Sequence, residues 1–246
     1  MILSINTSTI QFSIALMQEN GAILAEYFTS PGSKNFSGLM PAIDYLLTTS
    51  KSNTKNIKAI IVAIGPGRFT GLRVGLAAAK GIAKALQIPI IGVSSLEALA
   101  SQLPHTSYPV CPVIDSRKGE VFTALFNWSD DHEMVRIEKD TCLKVDELPS
   151  FIRETTLLLG NDFNRQGHVI AKMIGHKALL APPPFWGLKA SAVGNAGLKR
   201  FHEQYFDELK DLVPFYLRSP DIRPNPFPLI SPKQCTVLQD KENQGH

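Results

Sequence analysis

One pattern of apolar runs occurs twice in this chain, and few folds accommodate such a repeat. Residues 2–6, 11–17 and 22–28 are rich in Ile, Phe and Leu and are separated by Thr-Ser-Thr and by Glu-Asn-Gly, a hairpin-forming turn. They predict three sequential antiparallel strands. Apolar residues at Phe36, Leu39, Met40, Ile43, Leu46 and Leu47 then recur at helical spacing, with Pro41 confined to the first turn or a kink. Residues 57–64 form an almost unbroken apolar run, as a strand buried on both faces requires. Residues 72–86 predict a helix, 89–93 a second buried strand, and 94–103 a short helix capped by Ser94 or Ser95. From residue 110 the order restarts, with strands at 110–116, 120–126 and 134–143, a helix at 146–153, a strand at 156–160 and a helix at 190–206. Ile114, Asp115 and Ser116 fall over Ile5, Asn6 and Thr7, and Ala124 and Leu125 over Ala15 and Leu16, all at an offset of 109 residues. Similar residues in the same element order point to a tandem duplication.

Three antiparallel strands followed by alternating helices and parallel strands, twice over, is the plan of the actin-like ATPase domain, a ribonuclease H-like α/β fold. The expected architecture is two lobes, each a mixed β-sheet flanked by helices. An N-terminal lobe takes 1–104 and a smaller, divergent lobe takes 105–213. A Pro-rich arm or tail over 214–246 holds six of the 17 prolines. A chain of 246 residues is long enough to bury about 70–75% of its unfolded surface, so disorder is excluded for most of it.

Charge is unevenly spread. Residues 1–104 carry 12 charged side chains and residues 105–246 carry 35, while the whole chain is nearly balanced at +3. The depleted half is the first copy of the repeat, and two explanations fit: a face covered by another molecule, where charge is depleted, or a lobe that is the better packed of the two. Three cysteines, Cys111, Cys142 and Cys235, form no CxxC pair and leave an odd count, which speaks for a reducing compartment rather than a disulfide framework. The N-terminus lacks the basic stretch of a signal peptide, and no apolar run approaches a membrane span, so a cytoplasmic protein with no membrane partner is expected.

The segment Gly65-Pro66-Gly67-Arg68-Phe69-Thr70-Gly71-Leu72-Arg73-Val74-Gly75 joins a buried strand to a helix. Such a turn frees backbone N–H groups that suit an anion, with Gly67, Arg68, Thr70 and Arg73 as candidate contacts at a subunit junction. It is not a Walker A loop, since no Lys follows Gly71, and not a dinucleotide loop, since its third glycine comes one place late and no acidic residue ends the next strand. The plainer reading is a tight turn with close packing. Behind it, Gly71, Gly75, Ala78, Ala79 and Gly81 form a small-residue strip, which lets another helix approach, in the same chain or on another.

These segments resemble a known family. Ile2-Leu-Ser-Ile-Asn-Thr-Ser-Thr9, Leu39-Met-Pro41, the glycine segment, Ile91-Gly-Val-Ser-Ser-Leu96, Asp115-Ser-Arg-Lys-Gly-Glu-Val-Phe122 and Pro214-Phe-Tyr-Leu-Arg218 are similar to the bacterial tRNA threonylcarbamoyladenosine biosynthesis proteins of the TsaB (YeaZ) family. The resemblance is dense over 1–103 and patchy after. It implies a non-catalytic scaffold or activator that pairs with a TsaD-like catalytic subunit and works with a TsaE-like ATPase to modify the adenosine next to the anticodon. It also implies a homodimer when the chain is alone, tRNA contacted only within the complex, and no intrinsic cofactor, ATP and metal residing on partner subunits. The first two helices, roughly 36–49 and 72–85, would form the pairing surface, with Leu39, Ile43, Leu46, Leu72, Gly75, Leu76 and Ala79 as the expected contacts. On that expectation Gly75→Leu disrupts pairing and leaves the monomer folded. Three positions depart from the family pattern: Asn6 where Asp is usual, Asn35-Phe36 where His-Ser or His-Thr is common, and Arg68 in place of Ser.

Enzyme readings fare less well. An actin-like phosphotransferase, the main alternative, holds ATP phosphates on glycine- and carboxylate-bearing hairpin turns. The first turn here has neither, and the second offers only Asp115 and Gly119. Gly194-Asn195-Ala196-Gly197 is the one adenosine-loop candidate, and a plain helix start explains it equally. The histidines His105, His132, His168, His176, His202 and His246 make no HxxxH or HExxH pair, and no GxSxG elbow occurs. Asp115 and Glu120 flank a hairpin turn, where solvent and Arg117 or Lys118 are their expected company. A dinucleotide-binding oxidoreductase, which would open on a parallel sheet, is contradicted by the three opening antiparallel strands.

Overall fold

The computed structural model describes residues 1–29, 36–131, 133–161 and 163–218. Strands β1 (Ile2–Asn6), β2 (Ser13–Met17) and β3 (Ile23–Phe28) form an antiparallel meander. The turn between β2 and β3 is closed by the Gly21 N–H on the Gln18 carbonyl, with Gly21 at φ +89°. Helix α1 (Leu39–Thr49) follows a 3-10 turn at Phe36–Gly38, and Pro41 sits in its first turn, where the missing N–H breaks no bond. Strand β4 (Ala59–Gly65) pairs parallel to β1, helix α2 (Phe69–Leu86) crosses back, β5 (Ile90–Ser94) pairs parallel to β4, and a short helix α3 (Ser95–Ala100) is capped by the Ser94 side chain on Glu97 N–H. The sheet order is β3-β2-β1-β4-β5.

The second half repeats this. Strands β6 (Val110–Arg117), β7 (Glu120–Trp128), β8 (Met134–Lys144), β9 (Thr156–Gly160) and β10 (Ala178–Leu180) form a sheet of order β8-β7-β6-β9-β10, the same arrangement strand for strand. The fold is a duplicated actin-like, ribonuclease H-like α/β structure. The 109-residue offset that takes Ser4 to Val113 shrinks by one residue on the second strand, because Ser4 faces Ala15 while Val113 faces Thr123. Thr123, rather than Ala124, therefore stands at the place of Ala15. The cause is the tighter second hairpin, which turns on Lys118 and Gly119 with both at positive φ.

Helices α4 (Leu148–Phe151) and α5 (Phe163–Ile174) cover the outer face of the second sheet, and α6 (Ala190–His202) follows β10. Sequence patterning missed α5 and β10, overextended α4, and ran α6 to residue 206. Period-two alternation sorts the strand residues between two layers. Leu3, Ile5, Ile60 and Val62 meet α1 and α2 on the outer side of the first sheet, while Ile2, Ile61, Ala63, Ile91 and Val93 face inward. The inward core is shared: α6 rests on all five strands of the first sheet, and α3 packs against α6 and against β6, β7, β8 and β9. Each inner sheet face is thus closed largely by the helix that follows the other sheet. Removing a buried Ile or Leu side chain from water contributes about 1.5–3 kcal/mol, so this shared layer binds the halves together strongly.

After α6 the chain continues as an ordered strap over 205–218. Asp207 forms an antiparallel bridge with Ile90, accepts from Gly92 N–H at 2.7 Å and pairs with Arg200 at 3.0 Å. It covers the free edge of β5. Leu212 is buried against Gly92 and Ile64, and the Phe215 N–H donates to the Ile64 carbonyl at 2.7 Å. The expected Pro-rich arm is therefore packed structure over 214–218. Residues 219–246, with Cys235, and Asn35 and His132 lie outside the described residues.

Candidate functional site

The glycine segment packs onto the first hairpin turn of its own chain. Arg68 N–H donates to the Ser8 carbonyl at 2.7 Å, and the Thr7 hydroxyl donates to the Gly71 carbonyl at 2.7 Å. A Cβ on Gly71 would collide with the Thr7 carbonyl and one on Gly75 with the Thr7 hydroxyl; Gly67 lies equally close to the Ser8 carbonyl. The mate of the inward small-residue strip is thus Thr7, and no second helix is needed to account for it. Gly75→Leu is expected to destabilise the monomer itself, which corrects the expectation that it leaves the fold untouched.

The first turn has no open polar surface. Asn6, Thr7, Ser8 and Thr9 are fully buried. The Asn6 amide donates to the Leu188 carbonyl at 2.9 Å, and its oxygen accepts from Ser8 N–H at 3.0 Å and the Ser8 hydroxyl at 2.7 Å. Ser13 also donates to Leu188. Helix α6, carrying the adenosine-loop candidate, lies directly on the sheet: Gly194 abuts Ser4 and Met17, and Gly197 abuts Ile61. Its first-turn donor Ser191 N–H is taken by the Glu26 carboxylate at 2.8 Å, which completes the helix end as an acidic group should. Packing, not ligand binding, explains those glycines.

The second hairpin is more open. Asp115 accepts from Arg117 N–H at 3.2 Å, and Glu120 pairs with Arg218 at 2.8 Å, while Arg218 also donates to the Ser116 carbonyl. The Glu120 partner is thus supplied by the strap, a residue the sequence reading did not connect to this turn. Arg68 is half-buried beside this hairpin. Burial, and then the Arg117 charge, depress its proton affinity, and Asp115 acts in the opposite sense. Thr70 and Arg73 are exposed at the start of α2; Arg73 stacks 3.9 Å over the Phe69 ring and donates to the Tyr216 hydroxyl at 3.1 Å. Among the described residues no three His, Cys, Asp or Glu side chains gather as a metal site, and no helix is long and apolar enough to cross a membrane.

All seven expected interface residues are buried within the chain. Leu39, Ile43, Leu46, Leu76 and Ala79 belong to the core between the helices and the first sheet, and Leu72 and Gly75 are buried beside it. The apolar stripe of an amphipathic helix serves its own sheet first. The outward face of the same helices consists of other residues. Met40 (53% exposed) and Tyr45 (59% exposed) project from α1, and Arg73, Ala77, Gly81 and Lys84 from α2. Nothing lies within 4 Å of a Cβ built on Gly81. The strip therefore has two sides, and only Ala77, Gly81 and the half-buried Ala78 remain available to another molecule.

Comparison with known proteins fits this architecture. Residues 32–224 match the family model described as TsaD, tRNA N6-adenosine threonylcarbamoyltransferase. The tRNA threonylcarbamoyladenosine biosynthesis protein TsaB of Bacillus subtilis is 31% identical over 88% of this chain and 93% of its own length. Its namesake in Escherichia coli is 30% identical over 66% of this chain and 68% of its own. The structure of YeaZ from Pseudomonas aeruginosa superposes with a TM-score of 0.70 over 87% of this chain and 99% of that one, at 22% identity. The chain belongs to the TsaB (YeaZ) family of tRNA threonylcarbamoyladenosine biosynthesis proteins.

Proposed function

We propose that this chain is a non-catalytic scaffold and activator in the formation of threonylcarbamoyladenosine in tRNA. It pairs with a TsaD-like catalytic subunit, works with a TsaE-like ATPase, and leaves ATP and metal to those partners. The observation that carries the reading is the closure of the first hairpin turn. In an actin-like phosphotransferase that turn receives phosphates; here Thr7 and Ser8 are covered by the glycine segment, and Asn6 is consumed by Leu188 and Ser8. The pairing face is the outward side of α1 and α2, where Met40, Tyr45, Ala77 and Gly81 offer apolar anchors beside a flat stretch of backbone. Alone, the same face joins two copies. The chain acts in the cytoplasm, and it meets tRNA as part of the complex.

Two measurements test this. Mixed with the TsaD-like subunit of its own organism at micromolar concentration, the chain should co-elute from a sizing column as a complex. Titrated alone with Mg-ATP, it should bind none. A persistent mixture of separate proteins, or stoichiometric nucleotide binding, would remove the scaffold reading.

A further inference from the structure

Basic side chains from four separate segments belong to one connected region that runs from the start of α2 to the β6–β7 hairpin and the strap. Arg68 comes from the glycine segment, Arg73 from the second turn of α2, Arg117 and Lys118 from the β6–β7 hairpin, and Arg218 from the strap. The connections are specific. Arg73 is joined to Tyr216 of the strap, the strap reaches the hairpin through Arg218 on Ser116 and Glu120, and Arg68 feels the charges of Arg117 and Asp115. Across residues 65–76, 115–120 and 214–218 there are five basic side chains against two carboxylates, Asp115 and Glu120. Arg68 is half-buried, and the charge of Arg117 beside it is offset only in part by Asp115, an arrangement that a bound anion would relieve.

Aromatic rings lie among these cations. Phe69 and Tyr216 stand 5.2 Å apart, Arg73 lies over Phe69, and Phe215 and Tyr216 are partly exposed. A small nucleotide is poorly matched, because the adjacent turn that would cradle its phosphates is filled by Thr7 and Ser8. Separated cations interleaved with rings suit a phosphodiester backbone whose unpaired bases stack on aromatic faces. We propose that Arg68, Arg73 and Arg117, with Phe69 and Tyr216, form a contact surface for an unpaired loop of RNA. The choice of tRNA as natural ligand rests on the scaffold reading above; the surface itself does not.

The test is fluorescence anisotropy of the full chain with a labelled RNA stem-loop and with tRNA, across a salt series. R68Q/R117Q is compared with K55Q/K172Q, which removes the same charge from exposed sites; Lys55 lies at the opposite end of β4 and Lys172 on α5. The arginine pair should weaken binding by about tenfold and flatten the logarithmic salt slope by about 1–2, as loss of one or two phosphate contacts does. The lysine pair should bind like the unaltered chain. Equal effects of the two pairs, no RNA binding by the unaltered chain either alone or with its TsaD-like subunit present, or displacement of RNA by stoichiometric ATP would overturn the proposal. Co-elution of R68Q/R117Q with the catalytic subunit is scored separately, so a failed RNA surface and a failed scaffold role give different results.

Discussion

Asn6 shows how one side chain decides what this turn can do. Its amide donates to the Leu188 carbonyl and its oxygen accepts twice from Ser8, all in full burial. An ionised aspartate at this position cannot donate to Leu188. Asn6→Asp should therefore cost about 1–3 kcal/mol or more at neutral pH. Burial raises the pKa of the new carboxyl, so the loss relative to the parent chain should shrink as pH falls into the acid range, where the protonated group again donates; urea unfolding at several pH values measures it. Cys111 offers a second prediction. Burial pushes its thiol up to about 12, against a weaker opposing hydrogen bond with Thr123. It should resist thiol reagents at pH 8 until the chain is unfolded. The folded thiol keeps its proton where the unfolded one has lost it, so the stability it supports is complete below about pH 9 and falls as pH rises toward 12. Labelling of Cys111 as fast as a free thiol in the native protein would contradict its placement.

At the scale of the element, α2 separates two glycines that look alike in sequence. Gly75→Leu drives a side chain into Thr7, and overpacking of this kind costs about 1–3 kcal/mol and often more. Gly81→Leu meets open space and gains about 0.5–1 kcal/mol of helix propensity. The melting temperature should fall for the first and hold or rise for the second. The strands and the first helices were legible because continuous apolar runs and period-two alternation are strong signals. Which side of each helix stays exposed was not, since the same 3.6-residue stripe that reads as a docking face serves the chain's own sheet. Helix α5 escaped although Phe163, Gly167, Ile170 and Ile174 carry helical spacing, because polar and glycine residues between them dilute the apolar run. The strap escaped because its order comes from distant partners, such as Lys80 on the Leu212 carbonyl and Arg218 on Glu120, and proline-rich composition alone does not report them.

For the whole molecule, the duplicated halves are not independent. The inner face of the first sheet, with Ile2, Ile61, Ala63, Ile91 and Val93, is covered by α6, which comes from the far end of the second half. A chain cut after residue 104 should fail to fold, as judged by poorly dispersed amide resonances, while the full chain should unfold in one transition by both circular dichroism and the fluorescence of Trp128 and Trp186. This continuity also explains how the fold persists with its first turn closed: the packing that holds the lobes together is made by the chain's own side chains. The scarcity of charge over 1–104 is accounted for in part by the buried stripes of α1 and α2 and, on the proposed pairing, by an outward face that another protein covers. Calorimetric titration of the TsaD-like subunit with the unaltered chain and with Gly81→Leu tests this most directly. The unaltered chain should bind one-to-one, and the variant, folded and no less stable, should bind at least tenfold more weakly, a loss of about 1.4 kcal/mol or more. Equal affinity of the two would contradict it.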